Sequence, residues 1–299
     1  MAVRLHIDTD GGVDDALALV VLARSGAEIA SVSAVFGNTW VDQAASNARW
    51  MLRLAGCATD VYIGAASGLA GRPVERRRPG HGLDGLNGAG ASNRHKLPLL
   101  DRPHGASVIA LAATHGLTGL FMGPLTNLAH AVLTDPRAFQ DWRPVVMAGA
   151  FEVEGQGQGG ADFNTWSDPE ALQRVLYTGV RPRLVPLDVT GQVMLSRQVF
   201  QEAAARHDRP LMDRLLQAAG PYIDLHQSAW GGDGCRPHDA VAAGAVLWPE
   251  LYRFEPACVT LDLDRPGRLA RTDGPPNAEV CTWIDEAEVA RRLASALFD

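Results

Sequence analysis

The chain has 299 residues, of which 46% are hydrophobic and 20% charged, with a net charge of -7 at pH 7. This acidic balance argues against a nucleic-acid backbone as the main partner, and no apolar run approaches the roughly 18 residues that span a membrane. We favour a single domain over residues 1–299. Because a strand pattern starts the sequence without a basic and apolar leader, we expect a cytoplasmic protein.

Short apolar runs alternate with helix-length segments along most of the chain. Strands are predicted at residues 3–7, 29–36, 61–64, 118–122, 144–150 and 184–188. Helices are predicted at residues 16–23, 41–55, 105–116, 127–133 and 169–177. This repeated order predicts an α/β fold with one doubly wound, open and mainly parallel sheet flanked by helices.

The last third of the chain departs from this rhythm. Helices are predicted at residues 200–206, 210–230 and 239–247, paired strands at 257–264 and 279–284, and a closing helix at 285–297. Two glycine-rich loops, at residues 65–94 and 151–167, are too long for simple connectors. Loops of this length in compact domains are usually functional, although we interpret the basic run at 72–78 as a solvated face.

Acidic residues crowd the turn between the first strand and the first helix. Asp8, Asp10, Asp14 and Asp15 lie within eight residues. Such a cluster is costly unless protons or a cation neutralise it, and a hard divalent metal is the simplest explanation. Asp14 and Asp15 lie about 100° apart around the helix axis, so one can face a metal while the other reaches a substrate. The alternative, a helix N-cap, explains one of these acids but not four.

Two histidines have positions that favour a functional role. His238 follows a glycine-rich turn and opens an apolar helix, and His81 lies between glycines in a long loop. Histidine has an unperturbed pKa of about 6.5, so it can act as an acid near neutral pH. The alternative for His238 is a core histidine beside a structural Asp239. His6, inside the first strand, is interpreted as packing.

Six motifs in this order resemble the inosine-uridine-preferring nucleoside hydrolases. They are Asp8-Thr-Asp-Gly-Gly-Val-Asp-Asp15, Phe36-Gly-Asn38, His81-Gly-Leu-Asp-Gly-Leu86, Gly123-Pro-Leu-Thr-Asn127, Asp162-Phe-Asn164 with Asp168-Pro-Glu170, and His238-Asp239. The resemblance implies calcium-dependent hydrolysis of the N-glycosidic bond of ribonucleosides, which yields ribose and a free base. It also implies a role in nucleoside salvage and a homodimer or homotetramer.

The resemblance further implies a role for individual residues. Asp10, Asp15, Asp239 and the backbone carbonyl of Thr126 would hold Ca²⁺, which takes about six to eight oxygen ligands. Asp10 would also accept a proton from the attacking water, and Asn38 would lie near that water. Asp14 and Asn164 would bind the ribose diol. His238 and His81 would protonate the leaving base. A second reading of Thr126 is a helix N-cap.

The sequence departs from the family where the ribose 5′ hydroxyl is expected to bind. The family usually has asparagine and glutamate at the positions of Gln156 and Asp162, so one side chain is longer and the other shorter. Hydrogen bonds depend steeply on geometry, so these changes re-aim the contacts at the 5′ end. We therefore predict a ribonucleoside substrate that can carry an unusual base or 5′ group.

Two other functions remain open at this point. A haloacid-dehalogenase-type phosphatase would use Asp8 and Asp10 but also needs a downstream lysine, and Lys96 is the only lysine in the chain. A non-catalytic, metal-stabilised binding protein of the same fold is the other alternative.

The sequence offers three candidates for an aromatic residue that stacks on the base: Trp166, Trp230 and Trp248.

Overall fold

The computed structural model describes residues 2–71, 79–90, 104–206, 209–262, 265 and 267–298. The basic run at 72–78 and Lys96 therefore lie outside the described residues. The strands are β1 Arg4–Thr9, β2 Glu28–Ala34, β3 Val61–Ile63, β4 Thr118–Phe121, β5 Val145–Met147, β6 Arg183–Val185, β7 Leu195–Ser196, β8 Gly234–Cys235, β9 Tyr252–Leu261, β10 Leu269–Thr272 and β11 Ala278–Ile284. The helices are α1 Val13–Arg24, α2 Val41–Leu54, α3 Gly105–Thr114, α4 Thr126–Thr134, α5 Phe163–Ser167, α6 Pro169–Tyr177, α7 Leu187–Thr190, α8 Arg197–Arg206, α9 Arg209–Trp230, α10 His238–Leu247 and α11 Glu286–Phe298.

One nine-stranded sheet organises the molecule, in the order β10-β9-β11-β6-β5-β4-β1-β2-β3. Every pairing from β3 to β11 across the sheet is parallel, and β9 adds antiparallel pairings with β11 and β10. The chain order reverses between β1 and β4, which is the switch point where ligands bind in doubly wound sheets. The predicted mainly parallel, doubly wound sheet is confirmed.

Apolar side chains cover the sheet on both faces. One buried cluster joins α1, α2, α9, α10 and α11 to the sheet. A second cluster joins α3, α4 and α6 to the opposite face. Because α1 is buried along almost its whole length, its first turn is held firmly against the end of β1. Among the described residues, no helix combines the length and apolar character needed to cross a membrane.

Some element boundaries differ from the prediction. The strand predicted at 184–188 ends at Val185, and Leu187 begins the short helix α7. Pro186 is the reason, since it has no N–H to donate to a strand ladder and its fixed φ suits a helix start. The sequence interpretation also missed β10, which pairs with β9 at the edge of the sheet.

Candidate active site

The predicted site residues meet at the carboxyl end of the parallel strands, around the switch point between β1 and β4. Asp10 follows β1, Asn38 follows β2, and Asn164 lies in α5. The remaining members lie at helix N-termini, where backbone N–H groups favour negative charge: Asp14 and Asp15 in α1, Thr126 in α4, and His238 and Asp239 in α10. The fold thus brings residues from both ends of the sequence to one edge.

Asp15 anchors the turn between β1 and α1. Its Oδ1 accepts hydrogen bonds from the Thr9 hydroxyl at 2.5 Å and from the Asp10 N–H at 3.2 Å. Its Oδ2 accepts from the Gly12 N–H at 2.9 Å. These donors fix the orientation of a carboxylate that is fully buried.

Three carboxylates come together next to this turn. One oxygen each from Asp14, Asp15 and Asp239 lie within 4.8 Å of one another. Asp10 is close enough to Asp15 for the two charges to interact strongly. All four carboxylates are at least 94% buried, because none of them is more than 6% exposed.

Burial shifts the protonation of this cluster. Loss of water, reinforced by the charge of Asp15, raises the pKa of Asp14 to about 7. Burial and the neighbouring acids also raise the pKa values of Asp10 and Asp239 well above their usual range. Asp14 Oδ1 is buried without a hydrogen-bond partner among the described residues. Such an oxygen is costly unless a ligand reaches it, and a hard cation fits this all-oxygen donor set.

Thr126 is not the N-cap of α4, contrary to the second reading of that residue. The cap position is Leu125, and it makes no side-chain capping bond. The Thr126 hydroxyl instead donates to Asp168 Oδ2 at 2.5 Å. Asp168 itself caps α6 by accepting from the Ala171 N–H at 3.1 Å. The bond between Thr126 and Asp168 therefore ties the start of α4 to the start of α6.

His238 is buried, with one ring nitrogen satisfied and the other unpartnered. Its Nδ1 lies 2.8 Å from the Thr190 hydroxyl, and its Nε2 has no hydrogen-bond partner among the described residues. Burial, with nearby His226 and Arg236, lowers the pKa of His238 to about 3. The unperturbed value of about 6.5 applies to a hydrated ring, whereas burial disfavours the charged form; the role of His238 as a proton donor stays a prediction.

His81 contacts the first turn of α1 and also lines the cavity described below. Its Nδ1 accepts a hydrogen bond from the Val13 N–H at 3.1 Å. Its ring packs against Tyr222, with 4.9 Å between the ring centroids. The sequence interpretation missed Tyr222, whose hydroxyl interacts with the Asp14 carboxylate. Its only sequence signal was an aromatic residue in a long helix, which does not distinguish a site from a core.

A cavity of about 360 Å³ opens onto these residues, a size suited to a small-molecule ligand. Asp14, Asn38, His81, His238 and Asp239 all line it. Its other walls are mostly apolar and aromatic, formed by Pro79, Met122, Met147, Gln156, Asp162, Phe163, Asn164, Trp166, Leu187, Tyr222, Leu225, Ala229 and Trp230. Trp166 and Trp230 therefore have access to a ligand, whereas Trp248 is not in this lining.

The residues expected at the ribose 5′ end differ in their availability. Asp162 is the N-cap of α5: its Oδ1 accepts from the Asn164 N–H at 2.9 Å, and its Oδ2 accepts from the Gly149 N–H at 2.7 Å. The Thr165 hydroxyl also donates to Asp162. Gln156 is exposed at the rim of the cavity. Hence the Asp162 carboxylate is already engaged by the protein, and Gln156 is the more available of the two.

Asn164 is oriented by the ends of two strands. Its Nδ2 donates to the carbonyl of Met147 at 3.0 Å and lies 3.4 Å from that of Met122. These bonds use its donor group, so the carbonyl oxygen is the part that can accept a hydrogen bond from a ligand.

The fold and the site together define an α/β enzyme with an acidic centre at the switch point of its sheet. A family model described as inosine-uridine preferring nucleoside hydrolase matches residues 5–291. The chain belongs to this family. Membership confirms the predicted family, fold class and enzyme class, a hydrolase acting on N-glycosyl bonds.

The chain is also similar to individual proteins over most of its length. The chain is 32% identical over 270 residues to an uncharacterised protein of Schizosaccharomyces pombe, covering 87% of this chain and 80% of that protein. It is 28% identical over 301 residues to the non-specific ribonucleoside hydrolase RihC of Salmonella agona, covering 95% of each. A solved plant nucleoside hydrolase superposes with a TM-score of 0.88 at 26% identity, over 100% of this chain and 99% of the other.

Proposed function

We propose that the protein hydrolyses the N-glycosidic bond of ribonucleosides, giving ribose and a free base, with a Ca²⁺ ion at the acidic cluster. The observation that carries this proposal is the meeting of buried Asp14, Asp15 and Asp239 within 4.8 Å, beside a cavity for a small ligand. Asp10, Asp15, Asp239 and the carbonyl of Thr126 would hold the ion. When bound, Ca²⁺ would offset the negative charge and supply coordination positions for hydroxyl oxygens.

The side chains around the cluster are suited to holding a ribose. Asp14 Oδ1 is unpartnered in the described structure, and the side-chain carbonyl of Asn164 can accept a hydrogen bond because its Nδ2 is the group bound to Met147. We assign these two acceptors to the ribose diol and Gln156 to the 5′ side. Asp162 shapes that side as the cap of α5. Negative charge below the sugar stabilises an oxocarbenium-like transition state, in which the bond to the base is largely broken.

Proton transfer would use groups on the two sides of the sugar. Asp10, oriented by Asn38, would accept a proton from the attacking water. His238 would face the leaving base through Nε2, while Thr190 holds Nδ1. Because burial lowers its pKa to about 3, this ring is neutral in the free protein, so it must take up a proton from solvent water before it can act as an acid. Negative charge developing on the leaving base would favour the protonated ring, which would then pass that proton to the base. His81, which lines the same cavity, would offer a second contact to the base.

A substrate panel tests the proposal directly. Inosine, uridine, cytidine, adenosine and 5′-substituted analogues are incubated with the protein, and ribose and free base are both quantified. We expect the two products in equal amounts, with loss of turnover after chelation and recovery with Ca²⁺. Asp10→Ala should remain folded and be inactive. No base release from any ribonucleoside, or an active Asp10→Ala variant, would contradict the proposal.

Two assays separate the alternative functions. In the nucleoside panel, a non-catalytic binding protein would bind nucleosides without releasing base. In a separate assay, a phosphatase would release inorganic phosphate from an aryl phosphate in the presence of Mg²⁺.

We also propose a homodimer or homotetramer. Solution scattering of the purified protein tests this oligomeric state.

A further inference from the structure

A second cavity of about 350 Å³ adjoins the candidate active site. The two cavities share four lining residues: Gln156, Leu187, Trp230 and His238. A ligand bound over the acidic cluster therefore lies next to additional space. The second cavity is larger than a single methyl or hydroxyl group requires, so it can take a substantial substituent.

The charged side chains of this second cavity are Arg236, Asp188 and Glu154. Both acids are already engaged. Asp188 accepts from the backbone N–H groups of Phe151 at 3.0 Å and Glu152 at 2.7 Å. Glu154 forms an ion pair with a buried arginine at 2.8 Å.

Arg236 is the charged lining residue that lacks such compensation. Within the described residues, its guanidinium makes no hydrogen bond or ion pair, and it lies 4.7 Å from the centre of the Trp230 ring. Arg197, the first residue of α8 beside the β7–β8 strand pair, provides the contrast. It binds Asp233 at 2.7 Å and Asp224 at 2.6 Å. The sequence thus supplies acids to one arginine and leaves the other open toward the cavity.

The backbone of Arg236 is fixed before any ligand arrives. Its N–H donates to His226 Nδ1 at 2.9 Å, and its carbonyl accepts from the Tyr222 hydroxyl at 3.2 Å. Both hydrogen-bond partners, His226 and Tyr222, lie in α9. The last turns of this helix also line the active-site cavity. A guanidinium placed against an indole on a fixed backbone loses little freedom when it binds an anion.

We propose that the second cavity binds an anionic group, a carboxylate or a phosphate, carried by the ribonucleoside substrate, and that Arg236 recognises it. This inference rests on the proposed function. The planar guanidinium fork matches both anions in a bidentate arrangement. The anion can be carried on the nucleobase or on the 5′ carbon, and substrate pairs distinguish these two sources.

The test compares kcat/KM for neutral and anionic partners. Uridine is paired with uridine 5′-monophosphate and inosine with inosine 5′-monophosphate. For charge on the base, 5-methyluridine is paired with 5-carboxymethyluridine and adenosine with succinyladenosine. The variants are Arg236→Gln and Arg236→Lys, with Arg174→Gln as a charge-matched control that is exposed on α6 and lines neither cavity.

We expect wild type to prefer the anionic partner in the base-charged or the 5′-charged pairs. Arg236→Gln should lower the ratio of kcat/KM for the anionic partner to that for the neutral partner by about tenfold or more; the ratio removes any effect of Arg236 on His238, which both partners share. For the anionic partner, kcat/KM of Arg236→Lys should lie between the values of wild type and Arg236→Gln. Arg174→Gln should have the kcat/KM of wild type for both partners. An equal loss for both partners, or wild type that hydrolyses only neutral nucleosides, would overturn the inference and leave the proposed function intact. Failure to hydrolyse any compound would instead count against the proposed function.

Discussion

Asn38 holds both carboxylate oxygens of Asp10. Its backbone N–H donates to Oδ2 at 3.0 Å, and its side-chain Nδ2 donates to Oδ1 at 2.8 Å. The two bonds fix the plane of the carboxylate between β1 and the loop after β2. Burial raises the pKa of Asp10, and the Asn38 N–H opposes that shift by stabilising the charged form. Asn38 therefore controls both the direction and the charge of the proposed base.

Replacing Asn38 with Ala tests this control. The variant keeps the backbone bond but loses the side-chain bond, so the carboxylate can rotate. Because small misplacements of a reacting group cost about 10²-fold, we expect kcat to fall by about 10- to 100-fold with a smaller change in KM. Asn277→Ala is the matched control, since Asn277 also makes two hydrogen bonds, both to Val259. It should lower the melting temperature without lowering kcat, and equal kcat losses in the two variants would rule out a specific role for Asn38.

Gly37→Ala tests the same carboxylate from the other side. A Cβ at this position would lie 2.0 Å from Asp10 Oδ2, so the carboxylate must move. We expect a loss of activity of about 10²-fold or more, measured as kcat/KM. Gly116→Ala is the control, because its φ of +67° is strained for alanine while nothing lies near the added Cβ. That variant should lose about 1 kcal/mol of stability and keep its activity; a Gly37→Ala enzyme of normal activity would show that the position of Asp10 is unimportant.

The parts of the site that could be predicted from sequence are those encoded locally. The sequence alone shows that Asp10, Asp14 and Asp15 are crowded in one turn, and like charges at the end of a strand indicate a bound ligand. The approach of Asp239 is different, because it depends on how α10 packs beside α1. Only the family resemblance supplied it.

Other features depend on contacts that spacing does not encode. Asp162 was predicted to bind the substrate, and the structure adds that the Gly149 and Asn164 N–H groups each donate to one of its oxygens. The pKa of His238 depends on burial, on His226 and His81, which folding brings close, and on Arg236, which precedes it by two residues. By contrast, the parallel sheet could be predicted, because the alternation of apolar strand patterns with helical patterns is encoded locally in the sequence.

The pKa of Asp14 predicts how Ca²⁺ stabilisation depends on pH. Its folded pKa of about 7 exceeds its ordinary value of 3.8, so the folded cation-free protein binds more protons than the unfolded chain. Its contribution to stability therefore falls as pH rises through this interval. Ca²⁺ held by the neighbouring Asp10, Asp15 and Asp239 would stabilise the deprotonated form of Asp14 through its positive charge and so remove that penalty. We expect the increase in Tm on adding Ca²⁺ to be larger at about pH 8 than at about pH 5.5.

Taking the difference with and without Ca²⁺ at each pH isolates the cluster. His6 also has a shifted pKa, lowered to about 3 by burial, so its contribution to stability is lost as pH falls below 6.5. That effect is common to both measurements and cancels. Asp239→Asn should remove most of the Ca²⁺-dependent increase at both pH values. An increase that is larger at the lower pH would contradict carboxylate binding.

Thr126→Val tests whether the hydroxyl of this residue acts on the cation site through Asp168. Valine has a similar shape and keeps the backbone carbonyl, but it cannot donate to Asp168 Oδ2. Loss of a buried hydrogen bond to a charged group should cost about 1–3 kcal/mol in the free energy of unfolding. The Leu69 and Ala171 N–H groups still donate to Asp168, so the variant should fold.

The same loss frees the start of α4 to shift beside the cluster. We therefore expect weaker Ca²⁺ binding by calorimetry in Thr126→Val, and recovery of both affinity and stability in Thr126→Ser, which restores the donor. A stability loss in Thr126→Val with unchanged Ca²⁺ affinity would mean that the bond to Asp168 supports only the fold. Reduced affinity in Thr126→Ser equal to that in Thr126→Val would assign the effect to the lost methyl packing rather than to the hydrogen bond.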